Sequence, residues 1–313
     1  MKEQILQYNR NPQLSNWFDM KLDQWIEAGI YHNSIDSLQE SLVAELKSYK
    51  EKYQIENVVL GVSGGIDSAV TAALFKEAGW NVTGALLPIL QNPQETDRGQ
   101  EVCEKLEIDY VNVDLTSVYE KFISEMKDAD FVLFEGLDDS KEVKVRRGNI
   151  RARLRMNTLY NMAASKKGLV ASTDNFSELA AGFWTLHGDV GDIAPIQSLT
   201  KSWEVPALAE KLGVPQSVIE AVPTDGLGVA NGDEDQFGFS YLEFDIALFS
   251  LFESKYIKQQ LEDDNDVRII SEVESRIGST VYKRFNPLNL QHPHFADRYD
   301  QLLKLDNHLD KGD

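Results

Sequence analysis

The chain has 313 residues, 42% of them apolar and 26% charged, with a formal net charge of −20. This balance suits a globular protein with a sizeable core and argues against nucleic acid or an anionic membrane surface as the main partner. No apolar run approaches the length of a membrane-spanning helix and the opening MKEQILQYNRNPQ lacks a secretory hydrophobic stretch, so the cytoplasm is the expected compartment.

Residues 1–33, with Trp17 and Trp25, show no clear period and read as an N-terminal extension. From Ser34 to Tyr53, apolar residues at Ile35, Leu38, Leu42, Leu46 and Tyr49 follow a helical period. Asn57–Val62 is a short β-branched run, the pattern of a buried strand, and the glycine-rich turn Ser63–Ser68 follows it. A helix is predicted over Ala69–Ala78 with Gly79 as its stop. Trp80–Leu87 reads as a strand, Asp97–Leu106 as a helix and Asp109–Val113 as a third strand. Such alternation predicts an α/β fold with a parallel sheet flanked by helices.

The acidic stretch 117–145 breaks the pattern and reads as an insert or mobile loop. A long helix resumes near Asn149 and runs to about Lys166. A strand over Gly168–Ser172 and a short helix over 174–181 follow. Glycine, aspartate and proline then dominate to residue 198, as in a long functional loop. The final third has a helical pattern, and 291–313 is a polar tail. The single cysteine, Cys103, can form no internal disulfide and no CxxC site, so it reads as a buried structural thiol on a helix.

The turn Ser63-Gly64-Gly65-Ile66-Asp67-Ser68 carries the chemistry. A strand that ends in a glycine-rich turn and passes directly into a helix presents free backbone N–H groups and the positive end of the helix dipole to an anion. Gly64 and Gly65 allow close approach to phosphate, and Ser63 and Ser68 add hydroxyl donors. Asp67 would repel a bare phosphate, which makes it a candidate magnesium ligand. The plain alternative is a tight strand–helix turn capped by serines. Neither the Walker pattern nor a dinucleotide fingerprint is present.

In sequence, SGGIDS resembles the phosphate loop of the N-type ATP pyrophosphatases. Further motifs narrow the resemblance to the ammonia-dependent NAD synthetases within that family. Gly148-Asn-Ile-Arg-Ala-Arg153-Leu-Arg155-Met is similar to GNxxARxRM, and Ser172-Thr173-Asp174-Asn175-Phe-Ser-Glu178 to GTxNxxE. Gly182-Phe-Trp-Thr185, Gly188-Asp189, Asp192 to Pro195 and Lys201, Pro223-Thr224, and Lys283-Arg284 continue the series in order, so that it spans about residues 35–290. The domain is accordingly taken as 34–290. The resemblance implies an adenine nucleotide alpha hydrolase-like, Rossmann-like fold. It also implies ATP-dependent amidation of deamido-NAD with ammonia through an acyl-adenylate, with AMP and pyrophosphate released, in a homodimer. By the same resemblance, magnesium falls to Asp67 and Glu178. ATP falls to Gly61, Ser63, Gly64, Gly65, Ile66, Asp67, Ser68, Thr173, Lys201 and Thr224, with Asp67 and Lys201 catalytic. Deamido-NAD falls to Arg153, Asp192 and Lys283.

Some positions depart from the pattern. Leu186 stands where the family carries a lysine, Val190 replaces a glycine, and Tyr282 replaces a histidine. These changes lie on the dinucleotide side and leave two alternatives: a related acid such as nicotinate mononucleotide, or a nucleotide-binding regulator. His187 is a candidate replacement cation. Arg151 and Arg155 share a helix face while Arg153 points elsewhere, so some of the three must be structural. Trp17 and Trp25 are candidates to extend a contact between two copies.

Overall fold

The computed structural model describes residues 1–29, 34–126, 128–130, 140–222, 234–235 and 238–284. Thr224 and the tail 291–313 therefore lie outside the described residues.

Four parallel strands form the centre: β1 (Asn57–Gly61), β2 (Asn81–Leu86), β3 (Asp109–Asn112) and β4 (Leu169–Val170), in the spatial order β3-β2-β1-β4. Val58 and Leu60 face one core while Val59 faces the other, so β1 is apolar on both sides as a covered parallel strand must be. Successive strands extend one way from β1, and β4 lies on its other side. That reversal opens a crevice at the carboxyl ends of β1 and β4, where open α/β sheets bind ligands.

Before the sheet come α1 (Lys2–Tyr8), α2 (Asn16–Ala28) and α3 (Ile35–Tyr53). Between its strands lie α4 (Ile66–Glu77), α5 (Pro93–Lys105), α6 (Thr116–Met126) and α7 (Lys141–Lys166). Every residue of α4 from Ser68 to Phe75 is buried, because the helix is covered by the sheet on one side and by other helices on the rest. The strand β4 is shorter than the predicted 168–172, although Ala171 still bridges to Ile193.

The stretch 117–145 is not simply an insert. Thr116–Met126 is an amphipathic helix that buries Tyr119 and Ile123 against Met156 and Leu159 on the second face of the sheet. Helix α7 begins at Lys141 rather than near Asn149, because the Ser140 hydroxyl accepts the Val143 N–H and starts it earlier. Residues 131–139 lie outside the described residues.

The final third is helical as expected: α8 (Phe176–Ala181), α9 (Glu204–Lys211), α10 (Gln216–Ile219), α11 (Tyr241–Glu253), a 3-10 turn at Ile257–Gln260, α12 (Asp264–Ser279) and α13 (Val281–Arg284). Helices α1 and α2 are part of this half. Ile5, Phe18, Leu22 and Trp25 share one core with Leu242, Phe244, Ile269 and Val273. Trp25 is buried and its indole N–H donates to Glu253 Oε1 at 2.9 Å. It therefore serves this chain's own core and is not available to extend a contact with a second copy.

Candidate functional site

At the end of β1 the chain turns on Gly64, whose φ is +84°. A Cβ there would lie 2.1 Å from the carbonyl oxygen of Glu95 in α5, so both backbone angle and packing demand glycine. Gly65 is different: its φ is −92° and, among the described residues, an added Cβ would meet only Ser63 Oγ at 3.4 Å. Gly65 also begins α4 without a side-chain cap, and so it leaves the first-turn N–H groups for a ligand. The hydroxyl of Ser68 donates to Gly65 O at 2.9 Å and accepts Ser63 N–H at 3.3 Å. Ser68 is buried and holds the turn's shape, while Ser63 is exposed at its mouth.

The loop forms one wall of a cavity of about 470 Å³. Across it, three charged groups converge. The Lys201 ammonium ion-pairs with Asp67 and lies 3.3 Å from Glu178 Oε1. Asn175 Nδ2 donates to Asp67 Oδ1 at 2.9 Å. Asn175 also caps α8, accepting the Glu178 N–H, while the Glu178 carboxylate accepts the Asn175 N–H. This reciprocal box sets the Glu178 carboxylate opposite the Ser63–Ser68 turn. Lys201 N–H donates to Ser177 Oγ at 3.0 Å, and the ammonium stands 5.7 Å from the Tyr241 ring. The one ammonium offsets only one of the two carboxylate charges, so the cluster keeps a net negative charge and a divalent cation can take the lysine's place between the two carboxylates. Among the described residues no three acidic, histidine or cysteine side chains converge as a metal site. Two carboxylates fit magnesium, which takes one or two of them and fills its shell with phosphate oxygens and water.

Gly61, Ser63, Gly64, Gly65, Ile66, Asp67, Thr173, Glu178, Lys201 and Lys283 all border this cavity. Ser68, Arg153 and Asp192 do not. Arg153 is exposed and donates to Leu186 O at 3.2 Å. Asp192 accepts Tyr160 O–H at 2.9 Å and Val170 N–H at 2.8 Å. The separation of the α7 arginines holds: Arg151 and Arg155 face the cavity. Arg155 is spent on Leu87 O and Gln91, both at 2.9 Å, and burial with Arg151 nearby lowers its pKa to about 10. His187 is exposed and does not border the cavity.

Lys283 donates to the carbonyls of Gly182 at 2.6 Å and Trp184 at 2.5 Å. Burial lowers its pKa, with Asp189 opposing the shift and Arg153 adding to it. Two acids in the cavity were given no role by the motifs. Asp189 accepts the Thr185 N–H, and burial raises its pKa. Asp174 accepts Gln197 Nε2 at 2.6 Å through Oδ2, while its buried Oδ1 has no hydrogen-bond partner among the described residues. Burial raises the pKa of Asp174 as well. Both stand inside quoted motifs, so their positions were legible although their burial was not.

Residues 38–287 match the family model described as NAD synthase. The chain is 37% identical over 250 residues to an NH(3)-dependent NAD(+) synthetase from Alkaliphilus metalliredigens, covering 79% of this chain and 95% of that one. It is 33% identical to the protein of that name from Thermococcus kodakarensis, over 80% of this chain and 94% of the relative. Among solved structures, the NMN synthetase from Francisella tularensis superposes with a TM-score of 0.69 at 29% identity, covering 83% of this chain and 99% of that one. The NH3-dependent NAD synthetase from Campylobacter jejuni gives 0.65 at 28%, over 82% and 100%.

Proposed function

Since this chain belongs to the NAD synthase family, we propose that it amidates deamido-NAD to NAD with ammonia, using ATP. The observation that carries this reading is the convergence of Lys201, Asp67 and Glu178 beside the Ser63–Ser68 turn. The nicotinate carboxylate attacks the α-phosphorus of ATP, the bond to the bridging oxygen breaks, and pyrophosphate leaves. Ammonia then adds to the acyl carbon, AMP leaves, and one proton is released.

The turn's backbone N–H groups bind and orient the triphosphate. Lys201 exchanges its carboxylate partners for phosphate oxygens and holds the charge that grows on pyrophosphate. Asp67 and Glu178 would hold magnesium, which neutralises that same charge when bound. Thr173 borders the nucleotide, and Thr224 is assigned there on its motif alone. Asp174 Oδ1, buried and without a hydrogen-bond partner among the described residues, is suited to accept an N–H of ammonia and then its proton. Lys283 faces the substrate from within the cavity. Arg153 and Asp192, exposed outside it, fit a substrate that extends toward a second subunit, and we read the protein as a cytoplasmic homodimer.

The test measures AMP, pyrophosphate and NAD with deamido-NAD and ammonium. Stoichiometric AMP and NAD are expected. Absence of both would overturn the reading. Turnover of nicotinate mononucleotide alone would move the assignment to that acid, whose amide is the product named for the Francisella relative.

A further inference from the structure

The turn that carries Lys201 is pinned at three successive peptide groups. Lys201 N–H donates to Ser177 Oγ at 3.0 Å, and Ser202 N–H to Asp245 Oδ2 at 3.2 Å. The third group, the Ser202 carbonyl, accepts Asn9 Nδ2 at 2.8 Å. Asn9 is only 7% exposed, and the same nitrogen donates to Ile5 O at 2.7 Å, so both amide hydrogens are used and the side chain has one orientation. Its neighbours reinforce the contact. The Tyr8 ring lies 5.9 Å from that of Trp203. Arg10 ion-pairs with Glu234, whose other oxygen accepts Tyr241 N–H at 2.8 Å, and the Tyr241 ring is the one beneath the Lys201 ammonium. Residues 8–10 thus support Lys201 from its backbone and from its aromatic floor. All three precede the family match, which begins at residue 38.

We infer that the segment ahead of the family domain, through Asn9, is a positioning element for Lys201. None of its described residues borders the cavity. A buried amide that fixes a carbonyl one residue from a reacting lysine restricts where its ammonium can go, and small misplacements of such groups are costly in rate. The inference rests on the role given to Lys201 above.

The test compares Asn9→Ala with Ile5→Val, which trims a buried side chain of α1, the helix whose C-cap is Asn9, and leaves the amide in place. The first readout needs no substrate: the Lys201 ¹³Cε resonance, identified by its loss in Lys201→Arg. It should shift or broaden in Asn9→Ala and stay unchanged in Ile5→Val. The second is steady-state AMP release, in which kcat should fall roughly tenfold in Asn9→Ala with the KM for deamido-NAD little changed. An unmoved resonance, or an equal change in Ile5→Val, would overturn the inference. A moved resonance with unchanged kcat would leave positioning intact and remove Lys201 from the reaction. If Asn9→Ala does not fold, Arg10→Ala removes the ion pair with Glu234 and should move the same resonance, and a resonance it leaves unmoved overturns the inference.

Discussion

The Lys201 ammonium is paired with the Asp67 carboxylate across 134 positions of sequence, and both side chains are largely buried, at 8% and 15% exposure. Without Lys201, the Asp67 and Glu178 carboxylates lose the ammonium that lies between them. Breaking a buried pair from one side costs about 3–5 kcal/mol. Loss of a group that stabilises transition-state charge costs roughly 10²–10³ in kcat. Lys201→Met should therefore show both losses, read by urea denaturation and by AMP release. Activity within a few-fold of wild type would remove the lysine from the mechanism.

The two loop glycines should separate experimentally. Gly64→Ala places a Cβ against the Glu95 carbonyl in a left-handed backbone. Strain and overpacking together should cost about 2–5 kcal/mol and lower the melting temperature. Among the described residues, Gly65→Ala meets only a serine hydroxyl, at contact distance. It should keep the fold and act, if at all, on the KM for ATP. Equal melting temperatures for the two variants would refute this division.

Asp245 links the helices behind the site, accepting Ser177 O–H at 2.6 Å and Ser202 N–H. Burial pushes its carboxyl up to about 7 despite those donors. The folded state then holds a proton that the unfolded state releases near pH 4, so this group's contribution to stability falls as pH rises from about 4 to about 7 and is level above that. In Asp245→Asn the penalty is absent. The melting temperature of the variant minus that of wild type should grow more positive across this window. A constant difference would show that the carboxyl titrates normally.

Cys103 is fully buried, in the core cluster between sheet and helices. Burial first, and then Glu104, push its thiol up to about 12. Thiolate is the reactive form, so a disulfide reagent near pH 8 should leave the folded protein unmodified and react at once in denaturant. Rapid reaction of the native protein would place the thiol at the surface.

Local signals were enough for much of this molecule. The β-branched run at Val58–Leu60, the turn at Ser63–Ser68 and the periodic helix after Ser34 are short-range patterns, and each became the element expected. Helix α6 was obscured because its acidic surroundings masked a sparse apolar face of two buried residues, Tyr119 and Ile123, whose partners lie in α7. The role of residues 1–29 was hidden for the same reason: Asn9 is an ordinary polar residue until Ser202 is beside it.

What the sequence determined by itself is therefore the glycine-rich turn at Ser63–Ser68, the alternating strands and helices around it, and the family whose motifs follow in order. Only the tertiary structure decided that Lys201 sits between Asp67 and Glu178, that Arg155 braces a strand end while Arg153 faces solvent, and that the N-terminal helices join the core behind the site. The physical reason is range. Periodicity and turn chemistry act over a few residues and are written locally, whereas burial and ion pairing depend on which distant segments the packed sheet brings together.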